Sequence, residues 1–91
     1  MTIGVSHDLD TGDVVLVVKA EQTIYDFAPD RARLVAAELR DAARAGGAVL
    51  IVATADDGRQ IRLGGDAAVA LNMAEDIECN ADLGQAIKAS K

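Results

Sequence analysis

Two short runs, Val14-Val15-Leu16-Val17-Val18 and Val49-Leu50-Ile51-Val52, contain no polar residue. Side chains of a β-strand alternate between its two faces. Each run is therefore apolar on both sides, the pattern of a strand covered above and below. Both runs sit beside turn signals. Asp10-Thr11-Gly12-Asp13 precedes the first, and Asp56-Asp57-Gly58 follows the second. Gly12 and Gly58 can supply the positive φ that tight turns need. The chain must therefore build two hairpins and find cover for both of their faces.

The remaining segments fit around these hairpins. Residues 3–8 pair with 13–20, and Thr23-Ile24-Tyr25-Asp26-Phe27 reads as a further short strand. Pro29 suits the first position of a helix, where its missing N–H would be unpaired anyway. That helix runs to about Ala45 and stops at Gly46-Gly47. Ala32, Val35, Ala36, Leu39, Ala42 and Ala43 form its apolar stripe, with Leu34 opposite. Residues 48–55 form the next strand, and Arg59-Gln60-Ile61-Arg62-Leu63 returns with strict alternation. Asp66 can cap a second helix, with Ala67, Ala70, Leu71, Met73, Ala74 and Ile77 on one face. Glu78 would fall on that apolar face, so the helix is expected to end near Ile77. Asn80 would then cap a last short helix holding Leu83, Ala86 and Ile87. The expected fold is a single α+β domain over residues 1–91. It has a small antiparallel sheet of four to five strands from two hairpins, two amphipathic helices, and the order β-β-(β)-α-β-β-α-(α).

Two helices side by side cover one face of such a sheet. The other face would expose valine and leucine in a patch that soluble monomers avoid. A homodimer is expected, with Val15, Val17, Leu50 and Val52 as its face. Composition points the same way. Half of the 91 residues are apolar (51%), but only 2% are aromatic, so the core is built from small aliphatics and packs thinly.

The net charge of −6 argues against nucleic acid or an anionic membrane as a partner. No apolar run approaches the roughly 18 residues that span a bilayer. Met1-Thr2-Ile3-Gly4 lacks a basic segment followed by an apolar stretch, so no targeting signal is expected. Cys79, the one cysteine, reads as an unpaired thiol near a helix end in a reducing cytoplasm.

No set of residues specifies a reaction. Ser6-His7-Asp8 has the letters of a catalytic triad, but neighbours on a strand point to opposite faces. Asp8 to Asp13 resembles a calcium loop, yet glycine is one place early and Lys19 stands where the bidentate glutamate belongs. Leu63-Gly64-Gly65-Asp66 has the strand–turn–helix order of a phosphate cradle but lacks its motif, and Asp66 would repel an anion. No cofactor, zinc or redox-metal site is indicated. Arg33, Arg40 and Arg44 form a basic stripe on the first helix. It is a solvated face, or pairs with carboxylates such as Glu75, Asp76 or Glu78. Alternatively it joins Leu34 and Ala37 in a partner contact.

The segment Tyr25 to Leu39, through Pro29, Ala32, Val35, Ala36 and Leu39, resembles a pattern in short actinobacterial and actinobacteriophage proteins. The resemblance covers about a quarter of the chain. It implies a small phage-encoded accessory protein and transfers no active-site residue. The expectation is a non-enzymatic, self-associating interaction module in the cytoplasm that also contacts a host protein. The alternative is an acidic mimic or antitoxin-like inhibitor, if Asp8, Asp10, Asp13, Asp56 and Asp57 gather at one end. A small enzyme of unknown class would need a deep pocket holding two or more of His7, Cys79, Tyr25 and the carboxylates.

Overall fold

A computed structural model describes residues 3–90. Met1 and Thr2, which belong to the segment read for a targeting signal, lie outside the described residues. The chain runs β1 (Ile3–His7), β2 (Val14–Val18), β3 (Thr23–Phe27), α1 (Pro29–Arg44), β4 (Val49–Thr54), β5 (Gln60–Gly65) and α2 (Ala67–Ala89). The fold is α+β.

β1, β2 and β3 form an antiparallel meander in which His7, Val14 and Phe27 stand in one row, and Val5, Leu16 and Tyr25 in another. Val14, Leu16, Val18 and Phe27 are buried on its inner face. β4 and β5 form a separate hairpin, with Ile51 opposite Leu63 and Ala53 opposite Ile61. Its loop is closed by the Ala55 N–H donating to the Arg59 carbonyl at 2.8 Å and the Gly58 N–H to the Ala55 carbonyl at 2.9 Å. Gly58, at φ 90°, is the left-handed residue such a loop requires.

The helices pack antiparallel against each other, with Arg33 meeting Asp82 and Arg40 meeting Glu78. α1 rests on β3 and β4, and α2 on β1, β2 and β5. Ala32, Val35, Ala36, Leu39 and Ala43 of α1 and Ala70, Ala74, Ile77 and Ala81 of α2 supply their buried faces. Small side chains let two helix backbones approach closely, and the larger Phe27, Leu16, Leu63 and Ile77 fill the space between layers.

Two expectations are corrected. The strands do not make one sheet of four or five; they make sheets of three and two. The β4–β5 turn, not a strand pairing, bonds to the outer edge of β3. The Asp56 N–H donates to the Asp26 carbonyl at 2.9 Å, and Arg59 Nη2 donates to the Ile24 carbonyl at 2.6 Å. Arg59 also lies over the Tyr25 ring, 4.7 Å from its centroid. A side chain and a turn thus occupy the positions a neighbouring strand would pair with.

The second helix does not end near Ile77 but continues to Ala89, without a separate short helix. Glu78, which looked misplaced on the apolar stripe, accepts from Arg40 Nε at 2.9 Å. Asn80 caps nothing. Its Nδ2 donates to the Asp76 carbonyl at 2.8 Å, one turn back, and its Oδ1 lies 2.7 Å from His7 Nδ1. Cys79 is consequently an exposed residue inside α2 rather than one near a helix end.

The lower end of the meander is seated on α2 by a glycine pair. A Cβ on Gly84 would lie 3.0 Å from the Gly12 carbonyl carbon and nearer still to its oxygen. Gly12 has φ 78°, and Lys88 Nζ reaches Asp13 at 3.0 Å beside it.

Candidate protein-interaction surface

On the outer face of the hairpin, Leu50 pairs with Gly64 and Val52 with Arg62. Leu50 is 70% exposed, Val52 48% and, on α1, Leu34 66%. Leu34 and Val52 share an open depression of about 210 Å³ with Arg31, Val35, Glu38, Ala53 and Thr54. The surface is therefore continuous from the helix across β4. Single exposed apolar residues are ordinary, but three large ones on one surface mark a contact site.

The backbone of β4 adds a second feature. Backbone groups of an antiparallel strand point alternately to its partner and away. Ala55 bonds towards β5, so Ala53, Ile51 and Val49 do too, while Thr54, Val52 and Leu50 face outward. The outward Thr54 carbonyl is met by Arg31 Nη1 at 3.4 Å. Leu50 and Val52 have no backbone partner on that side among the described residues. β4 also lacks the proline or charge that protects free edges.

The other dimer-face residues stand elsewhere. Val15 is flanked by Ser6 and Asp26, and Val17 by Gly4 and Ile24. Both are half-buried. Lys19 Cε lies 3.3 Å from where a Cβ on Gly4 would be, so its aliphatic stem roofs this face. Val15 and Val17 thus belong to the first sheet, apart from Leu50 and Val52.

The basic stripe is engaged. Arg33 meets Asp30 at 3.5 Å and Asp82 at 3.0 Å, Arg40 pairs with Glu78, and Arg44 meets Asp41 at 3.4 Å. Arg33 and Arg40 bind the helices together, which separates them from Leu34 and Ala37, both exposed. Sequence reasoning passed over Glu38 and Arg59. Glu38 faces the depression with no ion-pair partner among the described residues. Position gave no local signal for it. Arg59 could have been noticed as the cation directly after the Asp-Asp-Gly turn.

The acidic turns converge in part. Asp26 has its carboxyl held above the ordinary range, first by desolvation and then by Asp13, Asp8, Asp56 and Asp57. Asp10 is not in that set. Three members carry cations: Asp13 has Lys88, Asp56 has Arg31 at 3.3 Å, and Asp57 has Arg59 at 2.6 Å. The Arg59 backbone N–H and then its guanidinium pull the Asp57 carboxyl below the ordinary range.

Other constellations stay apart. His7 faces Asn80, and Ser6 is exposed. Asp66 accepts from the Val69 N–H at 2.8 Å as a helix cap. A groove of about 230 Å³ between β3 and β5 brings together Tyr25 and the carboxylate Glu21, two of the groups a small enzyme would need, but it is open rather than deep. Among the described residues, no group of three or more His, Cys, Asp or Glu could hold a metal ion, and no helix is long and apolar enough to cross a membrane. No family model, curated protein or solved structure matches the chain.

Proposed function

We propose that this protein is a non-enzymatic interaction module that self-associates through Leu34, Leu50 and Val52 and works in the cytoplasm. The observation that carries this is the continuous exposed apolar surface from α1 across β4. Covering it with a second copy removes the three side chains from water, at about 25 cal/mol for each Å² of apolar area buried. The core itself is small and almost ring-free, with Phe27 as its one large buried aromatic. Dimerisation therefore adds stability to a marginal monomer. The resemblance of Tyr25–Leu39 to small actinobacteriophage proteins supports a host protein as a further partner. Light scattering coupled to size-exclusion chromatography tests the proposal. At micromolar concentration the wild type should run at twice the chain mass and Leu50→Asp at the single mass. A wild type of single mass removes the proposed self-association.

A second reading, the acidic inhibitor of a basic partner, is favoured by the carboxylates around Asp26. It is the weaker of the two because three of them are already neutralised by Lys88, Arg31 and Arg59. Titration with poly-L-lysine distinguishes it: Asp8→Asn with Asp26→Asn should weaken binding, and unchanged affinity removes this reading.

A further inference from the structure

We propose that the edge of β4, roofed by α1, captures an extended segment of another protein as an added strand. This deepens the interaction reading and rests on it, but uses the backbone edge rather than the outer face.

The edge has the chemistry of a strand template. The N–H and C=O groups of Leu50 and Val52 face outward without backbone partners among the described residues. Another extended backbone satisfies alternating donors and acceptors at this spacing in a single register. The other edges are managed. On β3 the outward carbonyls of Ile24 and Asp26 are taken by Arg59 and by the Asp56 N–H. β1 lies along α2, with Ile3 and Val5 beside Val69 and Met73. β5 carries Arg62 at an outward position. β4 carries no charged side chain of its own, and Arg31 closes only its Thr54 carbonyl, leaving the Leu50 and Val52 groups open among the described residues.

The surroundings select the occupant. The depression of about 210 Å³ lies between β4 and α1, lined by Leu34, Val35, Val52 and Ala53, with Arg31, already paired with Asp56, at its rim. An engineered cavity of roughly 150 Å³ takes up benzene, so this depression admits one large apolar or aromatic side chain. Glu38 stands on its wall with no ion-pair partner among the described residues. A lysine or arginine two residues from the apolar one, on the same face of the incoming strand, meets that charge. A second β4 is the poorer occupant. Paired strands lie about 4.8 Å apart, whereas packed helices need 8–10 Å. The second copy would bring its own α1 to where the first already stands.

The test uses the whole protein and a capped peptide of sequence TKTFTV, which places lysine and phenylalanine on one face. Amide exchange is read by NMR. Without peptide, the Leu50 and Val52 amides should exchange freely while those of Ile51 and Ala53 are protected. Saturating peptide should slow exchange at Leu50 and Val52 at least about tenfold. The same peptide N-methylated at its central amides should not. Glu38→Gln should weaken binding by no more than about fivefold, the range of an exposed ion pair. Val52→Pro removes an N–H that points away from β5, so the hairpin is retained and capture is lost. The N-methylated peptide serves the same purpose on wild-type protein if that variant fails to fold. Equal binding of the N-methylated peptide, or no protection at millimolar peptide, overturns strand capture. Leu34 and Val52 line both surfaces, so exchange is read below the concentration at which light scattering shows a dimer; strand capture then fails on the exchange readout and self-association on the mass.

Discussion

Gly84→Ala should destabilise the protein, although the same change in an exposed helix stabilises it. Glycine inside a helix costs about 1 kcal/mol relative to alanine. A Cβ at residue 84 gains that amount but collides with the Gly12 carbonyl, with its carbon at 3.0 Å and its oxygen closer. Backbone cannot rotate away as a flexible side chain can, so the β1–β2 turn must lift. Overpacking of this kind costs about 1–3 kcal/mol. Lifting the turn also strains the His7–Asn80 hydrogen bond, worth about 0.5–1.5 kcal/mol. The half-buried Lys88–Asp13 pair adds about 1 kcal/mol or less. Setting the helix gain against these losses leaves a net destabilisation of about 0.5–4.5 kcal/mol. Urea denaturation at fixed protein concentration reads it, with the midpoint falling by about 0.5 M or more for a slope near 1 kcal/mol per M. Ala86→Gly, an exposed site two residues away, serves as the control and should cost about 1 kcal/mol. A Gly84→Ala protein more stable than wild type would refute the glycine-on-glycine seat.

Three further outcomes follow from the same packing. Burial and the neighbouring carboxylates raise the Asp26 carboxyl, so its stabilising contribution is full in the protonated form below the ordinary carboxylate value of 3.8 and is lost as pH rises through the folded value. Asp26→Asn should therefore raise the urea midpoint at pH 7 and make little difference near pH 3; an equal effect at both would contradict the electrostatic cause. Phe27→Ala should lose about 3–5 kcal/mol, a large share of the stability of a domain this size, and calorimetry should show a transition lowered by well over 10 °C. Asp66→Ala should cost about 1 kcal/mol through the lost Val69 N–H partner, with a cost near zero in thermal melts counting against the cap.

Elements governed by neighbours in sequence were legible. Pro29 opens α1, Asp66 caps α2, and Gly12 and Gly58 turn the two hairpins, because capping and turn geometry are set within a few residues. Elements governed by distant partners were not. Glu78 looks like a helix stop until Arg40, 38 residues away, is known to face it. Asn80 looks like a cap until its amide is seen bonded to Asp76 and His7. The division into two sheets depends on Arg59 and Asp56 meeting β3, a contact no periodicity encodes. For the candidate surface, Leu34, Leu50 and Val52 could be recognised from alternation and helical spacing. Their union on one surface, and the unpaired edge beside Glu38, required the packing of α1 on β4.

The self-association proposal is tested most directly by isotope-filtered NOE spectroscopy on a mixture of ¹³C-labelled and unlabelled protein. Intermolecular contacts should appear at the methyl groups of Leu34, Leu50 and Val52. Their absence at millimolar protein, or contacts confined to Val15 and Val17, would contradict the proposed surface.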